Sequence, residues 1–141
     1  MVWPRQRQPA RIVAYPANGQ ARVPTSFDRR MEVPRPFPRA TTARVGYVVT
    51  LQASGWQAMK VASMTLSRHG GRVPVYLGVR YAGPGLEPWV DHNLPGNAAM
   101  LAAKAPLQAR TRYQVAVRGH VRASPTAPWR PFWRSWSFTT A

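Results

Sequence analysis

A chain of 141 residues is long enough for one domain with a real core and too short for two comfortable ones. With 45% hydrophobic residues it is no disordered basic tail, and 15 prolines leave hardly any window for a helix of ordinary length. Lys and Arg number 20 against 4 Asp and Glu, a formal net charge of +16, which draws the protein toward nucleic acid, acidic polysaccharide or an anionic membrane surface.

Nearly all of the basic residues are Arg, and they are scattered, whereas a dedicated phosphate tract clusters them on one element. GC-rich codon usage produces the same excess. There is no cysteine, so neither a disulfide framework nor a thiolate metal site is available. No apolar run is long enough for a membrane-spanning helix. The start, MVWPRQRQPAR, is basic without an apolar stretch behind it, so no signal peptide is visible.

Residues 1–10, polar, basic and twice broken by proline, are expected to be a flexible lead or linker, with residues 11–141 forming the domain. Arg11 to Tyr15 is a short strand candidate closed by Pro16 and the turn pair Asn18-Gly19, and it belongs at an edge. From Arg22 to Thr42, prolines at 24, 34, 36 and 38 prevent ladder pairing, so a long loop is expected, anchored by Phe27 and Phe37. Within Arg44 to Ala53 the residues Val45, Tyr47, Val49 and Leu51 share one face of a strand, and Trp56 folds over the sandwich end.

Ala58 to Ser67 is a strand with two phases. Met59 and Val61 share one phase and Met64 and Leu66 the other, so a bulge near Ala62 or Ser63 is expected to reconcile them. His69-Gly70-Gly71 signals a hairpin into Val73–Arg80, one strand whose Pro74 puts it at a sheet edge and leaves Tyr76 half exposed beside it. Tyr81 to Gly96 reads as a second long loop. A strand centred on Met100 and Leu101 follows, then a crossover over Lys104–Arg110.

Tyr113, Val115 and Val117 alternate with polar partners, with His120 at the strand end. Trp136 and Phe138 repeat the pattern beyond a connection at Val121–Pro131. About seven strands with turn signals between them give an all-β, two-sheet antiparallel sandwich.

The segments IVAYPANGQARVPTSF, GYVVTLQ, TLSRHGGRVPVYL, AAMLAAKAPLQARTRYQVAVRG and WSFTT, in that order, resemble the bacterial Ig-like domain of secreted and surface proteins. The copy that accompanies CAP (cysteine-rich secretory protein-like) domains is the most similar. The resemblance spans most of residues 11–140 and implies an Ig-like β-sandwich, an extracytoplasmic address, and an accessory role beside another domain. It carries no catalytic set. The basic excess is unusual for that family.

Chemistry has little to build on. Glu87, Asp91 and His92 share one loop with Trp89 and are weak candidates for a divalent cation, yet a Pro/Gly-flanked loop does not supply three or four ligands at fixed geometry. No metal site, cofactor or enzymatic activity is expected. Asp28 and Glu32 flank Arg29-Arg30, where simple ion pairing suffices.

Binding has more. Arg112 and Arg118 share a solvent face with Gln114, while Arg130, Trp133 and Arg134 interleave nearby, so phosphates would find a basic stripe and Trp129 or Trp133 a stacked base. Exposed strand edges and the 23–42 and 81–96 loops are the other candidate surfaces, with Trp89 and Trp133 as the first aromatic anchors to test. The expected partner is a neighbouring domain or protein of the cell envelope, or an anionic cell-surface polymer. Nucleic acid is the alternative.

Overall fold

The computed structural model describes residues 11–31, 43–83, 89–90 and 94–141. Its strands in chain order are β1 (Arg11–Tyr15), β2 (Ser26–Asp28), β3 (Arg44–Gly46), β4 (Val49–Ser54), β5 (Ala58–Arg68) and β6 (Gly71–Val73). They continue with β7 (Val75–Val79), β8 (Tyr81–Ala82), β9 (Trp89–Val90), β10 (Ala98–Ala103), β11 (Arg112–Arg122) and β12 (Arg130–Thr139). One 3-10 turn, Arg29–Met31, follows β2. The expected seven strands are β1, β4, β5, β7, β10, β11 and β12; the others among the described residues have only two or three residues each.

Two sheets carry the fold. The first has the order β1-β4-β10-β7-β9, and the second β12-β11-β5-β6 with β8 pairing β5 from off that path. The main ladders are antiparallel, while β7–β9 and β5–β8 are short parallel pairs. Leu51, Leu101, Val61, Leu66, Val115 and Phe138 are buried in one cluster that draws on both sheets. Each such side chain contributes about 1.5–3 kcal/mol by leaving water. Tyr113 and Phe138, opposite each other in the β11–β12 ladder, stack with centroids 5.8 Å apart.

The bulge falls where the two phases of β5 require it. Arg118 pairs Ser63 and Gly119 pairs Val61, which leaves Ala62 as the extra residue and keeps Met59, Val61, Met64 and Leu66 all inward. Gly119 is needed at that point, because a Cβ there would run into the carbonyl oxygen of Lys60. The hairpin at His69-Gly70 is a two-residue loop with φ of 47° and 75°, the positive pair of the tight turn that matches strand twist.

β1 lies at an edge, as its length requires. Its chain then leaves the first sheet through a cis Tyr15–Pro16 bond and joins the second, where Val23 bridges Thr140 in parallel and Gly19 N–H donates to Ser137 O at 2.7 Å. Trp136 closes this corner by donating its buried indole N–H to Pro16 O at 3.0 Å.

Three expectations are corrected. Val73–Arg80 is not one strand: β6 belongs to the second sheet and β7 to the first, because the chain crosses between sheets at Pro74, which cannot donate to either ladder. Arg44–Ala53 likewise splits into β3 and β4. Val45 leaves the main core for a small cluster with Ala102, Phe27 and Tyr76 on the outside of the first sheet, and Tyr47 is only half-buried. The connection expected at Val121–Pro131 is shorter, since the ladder already pairs Val121 with Arg130, and His120 lies inside β11 rather than at its end. Phe27 anchors its segment against that small cluster; Phe37 lies outside the described residues.

Candidate functional site

The outer face of the second sheet is set by β11, which runs through its centre with strict alternation. Tyr113, Val115, Val117, Gly119 and Val121 turn inward, so Arg112, Gln114, Ala116, Arg118 and His120 turn outward. Flanking strands complete each row. Arg118 stands between Ser63 of β5 and Trp133 of β12, and His120 between Lys60 and Pro131. Trp133 is 62% exposed, the most accessible large hydrophobic side chain among the described residues.

Short hydroxyl side chains hold the row ends in place. Arg112 donates through Nη2 to Ser137 Oγ at 3.1 Å, and Gln114 through Nε2 to Ser135 Oγ at 2.8 Å. At the other end Trp129 folds back over the face, half-buried, with the Lys60 ammonium 4.5 Å and the Arg122 guanidinium 4.4 Å from its ring centroid. Such contacts contribute about 0.5–1 kcal/mol each at exposed sites. Arg122 is further fixed by its Nε donating to Gln57 Oε1 at 2.9 Å.

No carboxylate answers this charge among the described residues. Asp28 is the single acidic side chain among them, and it sits in the β2–β3 ribbon, which packs against the first sheet. There it binds Arg30 at 2.8 Å, the local pairing expected from Arg29-Arg30. Hydrogen bonds from the Arg30 side chain and backbone hold the Asp28 carboxyl down at about 2.

A scan against family models finds no match, and a search of the curated proteins finds no relative.

Six binding residues were expected from the sequence, and four of them share this face: Arg112, Arg118, Trp129 and Trp133. Arg134 does not. It shares the inward phase of Phe132 and Trp136, opposite Val117, and reaches solvent only because β12 is an edge strand; its guanidinium donates back to Trp133 O at 2.8 Å beside Ile12 and Ala14. Trp89 does not join the face either. Its backbone pairs with Gly78 in the first sheet, so it stands in a strand rather than a loop. Trp133, too, is a strand residue.

The ring of Trp129, expected as a base-stacking platform, is already in contact with two cations, Lys60 and Arg122. Glu32, Glu87, Asp91 and His92 lie outside the described residues, as do most of the proline-rich loop and much of 81–96. Among the described residues no three His, Asp or Glu side chains converge.

In the sequence Arg122 already belongs with Arg112 and Arg118, near the same strand, whereas Lys60 and His120 are not picked out there as binding residues. The signal was present, because the alternation of β11 continues through Gly119 to Val121 and puts His120 on the Arg118 face. Recognising Lys60 as its neighbour requires the register of β5 across the bulge. What the arrangement offers chemically is a row of N–H donors and one exposed indole, with no acidic side chain among the described residues of the face to repel an anion.

Proposed function

We propose that the protein is a non-catalytic Ig-like module, an accessory of an exported bacterial protein, which binds an anionic cell-surface polymer through the outer face of its second sheet. The observation that carries the binding part is the convergence of Arg112, Arg118, Lys60 and Arg122 with exposed Trp133 on a face where no described carboxylate lies. Charges so arranged steer a polyanion and leave its acidic groups hydrogen-bonded.

Three features support the Ig-like part. With the short strands β9, β6 and β8 set aside, the order β1-β4-β10-β7 in one sheet and β12-β11-β5 in the other is similar to the two sheets of a constant-type Ig sandwich. Tyr113, at the start of β11, accepts a hydrogen bond from the upstream Gln108 backbone N–H at 2.9 Å, the corner such sandwiches make at that place. Two residues on, where antibody domains place a disulfide cysteine, this chain has fully buried Val115. The export address rests on the resemblance of the sequence segments alone.

Retention on the native cell-envelope fraction tests the reading. Wild type is expected to be retained at low salt and released as salt rises, and Arg118→Glu with Trp133→Ala to be released early. Retention that ignores both salt and these substitutions would overturn it.

Nucleic acid is the second reading, favoured by the exposed Trp133 lying beside Arg118. It predicts a log–log salt slope of about 0.9 per neutralised duplex phosphate. No association with duplex or single-stranded DNA at low salt removes it.

A further inference from the structure

A cleft of about 270 Å³ opens on the outer face of the second sheet, lined by Lys60, Ala62, Gly83, His120 and Trp129. Resting on the reading of that face as a polyanion surface, we infer that the cleft seats one acidic sugar unit of a polysaccharide. Lys60, in the cleft lining, takes its carboxylate or sulfate ester, assisted by Arg122 on the Trp129 ring at the cleft's edge, and His120 lies across from Lys60.

The space exists because of two departures from regular strand structure. Ala62 is the bulge residue, and a bulge locally opens pairing and re-aims side chains, as it does beside many binding sites. Gly83 ends β8 with its N–H on Val61 O at 2.8 Å, so close that a Cβ there would meet Val61 O at 3.0 Å and Ala62 Cα at 3.2 Å. Gly83 thereby lies close against the bulge, and with Ala62 it gives the cleft a wall of small residues. Its volume lies just below the usual range of drug-sized ligand pockets, roughly 300–1,000 Å³, which suits one sugar ring rather than a larger ligand.

The cations are positioned before any ligand arrives. Both rest on the Trp129 ring, and Gln57 holds Arg122 from behind, so an incoming anion meets ordered donors rather than free side chains. Their charge is uncompensated by any carboxylate among the described residues, and an anion relieves the repulsion between them. With its ring occupied by cations, Trp129 offers little to a nucleobase, which favours a sugar acid over single-stranded nucleic acid.

The unit belongs to a polymer. A second cleft of about 330 Å³, with Arg68, His69, Arg112 and Gln114 in its lining, opens at the opposite end of β11. His120 and Gln114 are six residues apart on that strand, roughly 20 Å at 3.3 Å per residue, with Arg118 and Trp133 between them. An extended acidic glycan lying along β11 reaches both.

Calorimetric titration of the full chain with a uronic-acid oligomer, dextran sulfate and oligo(dT), followed in parallel by the indole N–H resonance of Trp129, tests this. Binding of either glycan with a shifted Trp129 signal is expected, and the stronger of the two identifies carboxylate or sulfate as the acid. Lys60→Gln with Arg122→Gln should weaken it about tenfold or more, and Lys60→Arg should keep it, with the melting temperature showing that each variant is folded. Glycan binding that survives the double substitution but is lost in Arg118→Glu would remove the cleft and leave the face. Tighter binding of oligo(dT) than of either glycan would put nucleic acid in its place, and no binding of any of the three would end both readings.

Discussion

At Gly119 the absence of a side chain is what lets β5 and β11 meet across the bulge. Replacing it with Ala forces backbone apart at the centre of the second sheet, at a cost of about 1–3 kcal/mol or more. Urea denaturation is expected to show a clearly lower midpoint for Gly119→Ala, and an unchanged midpoint would contradict the placement. Asp28 makes a different kind of prediction. Its carboxyl is held at about 2 against an ordinary 3.8, so the pair with Arg30 contributes stability that is complete above pH 3.8 and lost as pH falls through 2. In an NMR titration the Asp28 carboxyl should move back toward the ordinary value in Arg30→Ala. An unmoved midpoint there would mean that the Arg30 side chain is not the cause. Asp28 can be singled out in the sequence beside Arg29-Arg30, but the contact that makes Gly119 necessary cannot, because Lys60 is far away along the chain.

Among the elements, β12 shows how an edge strand is kept from pairing with other molecules. Its second half is covered by residues 19–23, whereas its first half carries Pro131, which lacks an N–H, and Arg134, an inward-phase charge that must reach out to solvent. Inward charges and prolines are common defences of open edges. Arg134→Val should therefore leave the fold intact and raise self-association above that of wild type, measured by sedimentation velocity; a variant no more self-associated than wild type would assign the arginine elsewhere. The alternation of β11 and β12 was legible because a period of two depends only on neighbouring residues. So was the bulge, since a change of phase within one apolar strand has few other solutions. The break at Pro74 was not, because Val73, Val75, Leu77 and Val79 alternate without a fault while the chain passes from one sheet to the other.

For the whole molecule, the formal net charge of +16 is the dominant long-range term. Like charges repel in the compact state, and salt screens them over about 10 Å at 0.1 M. The melting temperature should rise as sodium chloride is increased from low to moderate concentration, and sulfate should raise it further by binding to the basic face. Scanning calorimetry that finds no rise with either salt would indicate that the cations are already compensated. The outer face of the second sheet gathers cations from β5 and β11, and that convergence is a property of the assembled sandwich rather than of any one segment.

The sequence by itself determined that the chain folds as β-strands around one apolar interior, that β11 buries its Tyr113 face, and that positive charge dominates. These follow from composition and from a two-residue period, both local quantities. Only the tertiary structure decided which cations stand together, because strand register places Lys60 beside His120 and Trp133 beside Arg118, and phase on an edge strand turns Arg134 away from them. Neighbours across a sheet are fixed by pairing between distant segments, and no window of the sequence contains both partners.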